Sequence, residues 1–359
     1  MTGTRGFLGF HTRAAALETA DTTHRIAVGR SFDPGEAAAT LDSCDTLIHI
    51  AGINRGSDSE VTDGNITFAE QIASAVRASE KPPRRIVYAN SIQAHHDNVY
   101  GSAKSRAGEI LGAAAAEAGS TFSSELLPNL FGEFGRPNYN SVTATFCDQI
   151  AAGRSPSIHQ NAEISLLHVQ NAADLLLGRI TAEQMNDLVA PVRVKALADR
   201  ITEFAQTYRD GTIPALRSVF DRDLFNTYRS FTFPEHTPIR LTRHADARGS
   251  FFEVIRNCAG EDQTSFSTTV PGVTRGDHFH RRKIERFAVL SGTATISLRR
   301  LFDDRVHRFE VTGDEPVAID MPTMVTHNIT NTGSDALYTM FWANEIFDPE
   351  SPDTIPHEV

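Results

Sequence analysis

Up to residue 230 the chain alternates short apolar runs with alanine-rich stretches of helical period. Residues 25–29, 46–51, 85–89 and 124–128 have the length and content of strands buried on both faces of a sheet. Residues 69–78 and 105–118 read as the helices between them, and 198–228 also reads as helical. Strand–helix alternation of this kind predicts a doubly wound α/β domain with a parallel sheet. The proline-punctuated stretch 231–238 ends that pattern, and the period shortens. Residues 251–255, 286–299, 306–311, 316–320 and 336–342 read as strands separated by glycine and Asn/Asp turns, which predicts an all-β domain. The expected division is 1–232 and 239–359.

A length of 359 residues suffices for two separate cores. The formal net charge of −11 argues against general nucleic-acid binding, while leaving room for a few local arginines around a small anionic ligand. Cys44, Cys147 and Cys258 are odd in number and far apart, so no disulfide framework is expected. No apolar run has spanning length and no charged-then-apolar leader opens the chain. A soluble, cytoplasmic protein is the expectation.

Candidate chemistry concentrates between Gly272 and Gly292. His278 and His280 alternate on one strand, so their imidazoles share a face. Glu285 follows after a turn-length gap, and His327 lies further on in Pro322-Thr-Met-Val-Thr-His327. Imidazoles with one carboxylate suit a first-row divalent metal, zinc by preference. Arg281, Arg282 and Lys283 read as a solvated turn. The spacing of glycine, HxH, glutamate and closing glycine resembles the first motif of the cupin superfamily. The His327 segment resembles its second motif, with Met324 where a glycine is usual. The resemblance implies a cupin jelly-roll barrel.

At the other end, Gly3, Gly6, Phe7 and Gly9 form a glycine-rich turn that would let a pyrophosphate approach a helix N-terminus. Tyr100 and Lys104 fall one turn apart on a predicted helix, and Ser91 follows a predicted strand. This set resembles the extended short-chain dehydrogenase/reductase family, whose dinucleotide domain is a Rossmann fold. The resemblance implies that Tyr100 donates a proton to a carbonyl, that Lys104 holds the nicotinamide ribose, and that Ser91 polarises the carbonyl. A cationic amine near a phenol is expected to bring its pKa down from about 10. Arg30, at the end of the second predicted strand, suits a 2′-phosphate and so NADPH. Ala51, Gly52 and Asn54 are expected beside the adenosine, Asn129 near nicotinamide or substrate, and Asn138 and Asn140 at the sugar. Only Met1 and Thr2 precede Gly3, so the strand that normally leads into such a turn is expected upstream of the given chain.

The two resemblances together, with Ser91-Ile-Gln-Ala, Pro128-Asn-Leu-Phe-Gly, Pro137-Asn-Tyr-Asn-Ser-Val, Asp246-Ala-Arg-Gly-Ser-Phe and Asn344-Glu-Ile-Phe-Asp-Pro, are similar to a family of bifunctional capsular-polysaccharide enzymes. That likeness implies a UDP-2-acetamido-2,6-dideoxy-4-ketohexose substrate, epimerised at C3 by the cupin. The reductase would then reduce C4 to the 6-deoxy-L-talose sugar, on the route to UDP-N-acetyl-L-fucosamine. It also implies a homodimer. Thr274-Arg275-Gly276-Asp277-His278 resembles a stretch of dTDP-sugar epimerases in which the histidine is the base and the arginine meets the diphosphate. His278 therefore has two implied roles, ligand and base. Arg275 is a candidate substrate contact, with Asp246, Arg248 and Glu253 as secondary ones. The alternatives are a cupin epimerase with an inactive reductase domain, and a non-catalytic nucleotide-sugar or metal-binding protein.

Overall fold

The structure is a computed structural model that describes residues 1–246, 249–258, 260 and 262–359; of Asp246, Gly249 and Ser250 it describes the backbone only. Two packed units are formed, Met1–Leu130 with Ile164–Pro191, and Phe131–Glu163 with Val192–Val359.

In the first unit the elements run α1 (Phe7–Glu18), α2 (Pro34–Leu41), β1 (Thr46–His49), α3 (Asp58–Ala78), β2 (Arg85–Ser91), α4 (Val99–Glu117), β3 (Thr121–Leu127) and β4 (Asn129–Phe131). After α5 (Val142–Ala151), which lies in the second unit, come β5 (Glu163–His168), α6 (Val169–Leu177), α7 (Ala182–Asp187) and β6 (Ala190–Arg193). β1, β2 and β3 are parallel neighbours in that order. Alternation along the strands gives this sheet two apolar faces. Leu47, Ile86 and Tyr88 join a core with residues of α3 and α4, whereas Ile48, Val87 and Ala89 join one with residues of α6. Covering both faces is what a doubly wound parallel sheet requires. A capping box between Ser57 and Glu60 fixes the start of α3.

Residues 25–29 are not a strand. Their neighbour is the pair Met1 and Thr2: Ile26 N donates to Met1 O at 2.9 Å, and Thr2 N donates to Ile48 O at 3.0 Å. A single bond from Ile26 does not make the repeated pairs of a ladder, so the expected strand stays irregular. The helix expected over 198–228 is two helices, α8 (Val194–Tyr208) and α9 (Val219–Ser230), broken near Gly211.

The second unit contains α5, α8 and α9 together with β7 (Ile239–Arg240), β8 (Arg243–Asp246), β9 (Gly249–Phe252), β10 (Gln263–Thr269), β11 (Thr274–Phe279), β12 (Glu285–Ser291), β13 (Thr293–Arg300), β14 (Val306–Thr312), β15 (Val317–Met321), β16 (Val325–Asn331), β17 (Leu337–Ala343) and β18 (Ile355–Pro356). Ten of these strands form two antiparallel five-stranded sheets, β10-β17-β12-β15-β7 and β14-β13-β16-β11-β18. Val289, Ile319 and Met321 from the first and Ile296, Leu298, Val325 and Ile329 from the second share one core, so the sheets face each other.

Division by packing thus differs from division by hydrophobic period, because α8 and α9 are tied to the β strands by buried polar groups. Arg286 on β12 makes a two-point contact with Asp320 on β15, at 2.6 and 3.0 Å. Tyr208 of α8 donates to the same carboxylate at 2.5 Å. Arg229 of α9 donates to Met321 O at 3.1 Å.

Candidate functional sites

In the first unit, residues 3–9 hold α1 against the end of β1. Gly3 has φ +65°, and a Cβ there would lie 2.8 Å from Ala51 N. Gly9 is tighter still: its Cβ would lie 2.1 Å from Gly3 O. Gly6 caps α1 without a side chain, so the first-turn amides of α1 carry no side-chain acceptor from the cap.

Side chains outside the motif fix the loops around this turn. Thr2 Oγ1 accepts from Ile50 N and Ala51 N, each at 3.0 Å. Asn65 accepts from Ile53 N at 3.2 Å and donates to Ile53 O at 2.6 Å, which pins the loop carrying Gly52 and Asn54. Gln71 brackets Gly29 through both its amide atoms, at 2.7 and 3.1 Å, and leaves the neighbouring Arg30 exposed. Thr2, Asn65 and Gln71 had escaped the sequence reading. The signal for Asn65 was there: it is a polar residue within the buried stripe of α3, among Val61, Ala69 and Ile72.

Asn98 caps α4 by accepting from Gly101 N, which sets the helix carrying Tyr100 and Lys104. Lys104 is buried, its Nζ 2.7 Å from Ala89 O and 4.1 Å from the centre of the Tyr88 ring. Burial pushes its pKa down to about 7. Burial also raises the Tyr100 phenol, opposite to the expected lowering. The expectation counted the lysine's charge without the desolvation that both groups undergo. Ser91 ends β2, half-buried, and accepts from Gln93 N at 3.2 Å. Asn129 is exposed, its amide donating to Ser165 O at 3.2 Å. Asn138 and Asn140 belong to the second unit, where Asn138 takes φ +55° and its N–H donates to Thr145 at 2.9 Å.

In the second unit, His278, His280, Glu285 and His327 converge, their ligand atoms all within 4.8 Å of one another. β11 bulges between Gly276 and His278, and pairs His278 with His327 of β16. Gly276 has φ +108°, and a Cβ there would lie 2.8 Å from His327 O. Met324, at the position where the second motif usually has glycine, also has a positive φ of +62° and is fully buried.

His280 Nε2 lies 2.9 Å and His327 Nε2 3.5 Å from Glu285 Oε2, yet none of the three buried atoms has a hydrogen-bond partner of proper geometry. The other ring nitrogens face backbone carbonyls: His280 Nδ1 meets Asp353 O, and His327 Nδ1 meets Val325 O at 3.3 Å. Buried imidazole lone pairs and a carboxylate oxygen aimed at one point, with the second nitrogens held by carbonyls, fit a divalent metal. Burial, then the neighbouring His327 and His280, hold His278 down at about 3. Burial works to raise Glu285, but His280 and His327 hold it well below the usual carboxylate range.

The 281–283 turn is not solvated as expected. Lys283 is buried with Nζ donating to Pro352 O at 2.8 Å, and Arg282 pairs with Glu345 at 3.0 and 3.2 Å. Arg275 is exposed on β11. Glu253 pairs with Arg256 at 2.6 Å. Arg248 lies outside the described residues, as does the side chain of Asp246.

Comparison with known proteins fits this two-part geometry. The NAD dependent epimerase/dehydratase family model matches residues 1–187, and the polysaccharide biosynthesis C-terminal domain model matches residues 244–355. UDP-2-acetamido-2,6-beta-L-arabino-hexul-4-ose reductase of Pseudomonas aeruginosa is 33% identical over 362 residues, 99% of this chain and 96% of that protein. Spore coat polysaccharide biosynthesis protein SpsL of Bacillus subtilis is 26% identical over 123 residues, 32% of this chain and 82% of that protein. The crystal structure of the capsular polysaccharide assembling protein CapF from Staphylococcus aureus is 35% identical with a TM-score of 0.62, covering 100% of this chain and 99% of that one. A doubly wound domain followed by an all-β domain is thus both observed and shared with CapF. The chain belongs to the NAD dependent epimerase/dehydratase family, extended by a polysaccharide biosynthesis C-terminal domain, and is similar along its whole length to CapF.

Proposed function

We propose that this chain is a bifunctional UDP-deoxysugar enzyme. The β domain inverts C3 of a UDP-2-acetamido-2,6-dideoxy-4-ketohexose, and the α/β domain reduces the C4 ketone with NADPH. The product is the 6-deoxy-L-talose sugar on the route to UDP-N-acetyl-L-fucosamine for surface polysaccharide. The observation that carries this reading is that one chain bears two residue sets: Tyr100 one turn before a buried Lys104 on α4, and the convergent His278, His280, Glu285 and His327. Full-length similarity to a reductase named for a UDP-acetamido-hexul-4-ose supports the substrate class. The exposed Arg30 beside the clamped Gly29 supports NADPH. The reading retains the homodimer implied by the resemblance.

In the reductase half, Tyr100 gives its phenolic proton to the C4 oxygen as hydride arrives at C4, and Ser91 donates a hydrogen bond to the same oxygen. Lys104, anchored on Ala89 O, supplies the positive charge that a forming phenolate needs. In the epimerase half, a C3 proton next to the C4 ketone is acidic because the enolate is delocalised, and reprotonation on the opposite face inverts the centre. A divalent ion, zinc by the donor set, would be held by His278, His280, Glu285 and His327 and would polarise the ketone oxygen. The His278 ligand atom lies within 4.8 Å of those of His280, Glu285 and His327. That supports a ligand role for His278 over the competing role of free base.

The test separates the halves. Tyr100→Phe should abolish NADPH oxidation with the 4-keto UDP-sugar but leave solvent deuterium exchange at C3. His327→Ala should abolish exchange. Wild-type protein that neither oxidises NADPH nor exchanges C3 with this substrate would remove the proposal.

A further inference from the structure

Residues 351–359 return across the β unit and meet the ligand set at three places. β18 pairs with β11, placing Pro356 opposite His278 and Ile355 opposite Phe279. His357 N donates to Asp277 O at 2.9 Å, next to His278 in the chain. Asp353 binds the turn that joins His280 to Glu285. Its carboxylate accepts from Arg281 N at 2.9 Å, Arg282 N at 2.9 Å and Lys283 N at 2.7 Å, and its own carbonyl meets His280 Nδ1. Lys283 Nζ closes the contact on Pro352 O.

These bonds have a consequence beyond stability. Three consecutive amides on one carboxylate fix the path of the chain between two ligands only five positions apart. The carbonyl partner makes Nδ1 of His280 the proton-bearing nitrogen, so Nε2 presents its lone pair towards Glu285. Asp353 itself sits at φ +44° and is buried, a conformation that an L residue keeps only when its surroundings hold it.

We propose that residues 351–359 are a strap that assembles the metal-ligand set, with Asp353 as a positioning residue that fixes the 281–283 turn and the tautomer of His280. This rests on the metal-site reading above. Nothing in the HxH or glutamate spacing points to Asp353, which lies 68 residues after Glu285 in the chain.

The test uses the full chain and Asp353→Asn, which keeps one acceptor oxygen and the side-chain shape, beside Asp353→Ala and the exposed control Glu350→Gln. Zinc affinity is read by competition with a chromophoric chelator. The ligand field is read from the visible absorption of the Co2+-loaded protein, and NADPH affinity reports the other unit. Loss of a partner of this kind weakens metal binding by about 10- to 100-fold. That loss is expected for both Asp353 variants, with a changed Co2+ spectrum, unchanged NADPH affinity and an unaffected Glu350→Gln. If Asp353→Ala does not fold, Asp353→Asn decides. Zinc affinity within twofold of wild type and an identical Co2+ spectrum in a folded Asp353 variant would overturn the strap alone. Wild-type protein that binds no zinc would overturn both the strap and the metal-site reading.

Discussion

Gly9→Ala sets two effects of known sign against each other. Gly9 lies inside α1, where alanine is favoured over glycine by about 1 kcal/mol. On helix propensity alone the variant should be more stable. The new Cβ, however, would stand 2.1 Å from Gly3 O, 2.8 Å from Gly3 C and 2.9 Å from Thr4 Cα. All three are backbone atoms, so no side chain can rotate aside. An ordinary carbon–oxygen contact is about 3.3 Å, so α1 must retreat from the turn by roughly 1 Å. Overpacking of this kind costs about 1–3 kcal/mol, which outweighs the propensity gain. A displacement near 1 Å in a positioning element costs about 100-fold in rate. The assay pairs thermal unfolding with a nicotinamide-fluorescence titration of NADPH, using Gly35→Ala as control. A Cβ at Gly35 meets only Asp33 Oδ1 at an ordinary 3.4 Å, so that variant should be neutral or slightly stabilising. Gly9→Ala should lower the melting temperature and weaken NADPH at least tenfold. Wild-type stability and affinity in Gly9→Ala would refute the packing argument.

Other expectations follow from buried charges and from the ligand cluster. Asp320→Ala strands the Arg286 guanidinium, 2% exposed, and the Tyr208 hydroxyl, so unfolding by urea should show a loss of about 3–5 kcal/mol; a loss below 1 kcal/mol would contradict it. Lys104 titrates near 7 when folded, against 10.5 as its ordinary value, so the unfolded chain binds the extra proton between those values. Cofactor-free stability should therefore rise with pH across that window, by at most about 1.4 kcal/mol per pH unit, and fall as pH drops towards 7. Lys104→Met should flatten that rise, and equal slopes in the two proteins would count against it. Chelation by EDTA should abolish C3 deuterium exchange and lower the melting temperature of the β domain, with recovery on adding zinc; exchange that survives exhaustive chelation would exclude a metal role.

Much of this was legible because it is local. The strand–helix alternation before residue 230 became two apolar faces on β1–β2–β3, and the HxH spacing became a real convergence with Glu285 and His327. What was not legible depends on partners far away in the chain. Residues 25–29 look like a strand by content, but a strand exists only through repeated pairing with a neighbour, and here the backbone link to Met1 is the Ile26 N–H bond. Arg281, Arg282 and Lys283 look like a solvated turn because three cations usually are one; the Asp353 carboxylate that takes their amides and the Pro352 carbonyl that takes the buried Lys283 ammonium lie some 70 residues later. Tyr100 and Lys104 were placed correctly on one helix, but their spacing carries no information on burial, which governs both pKa directions. Met324 stands where the motif usually has glycine and still takes a φ of +62°, the region that favours glycine.

The central claim is that one chain inverts C3 and reduces C4 of the same ketosugar. The most direct measurement is the isotope pattern of the product formed in D2O with unlabelled NADPH, read by proton NMR. The account predicts deuterium at C3, taken from solvent during inversion, and protium at C4, delivered as hydride. A reduced product carrying protium at C3 would contradict it.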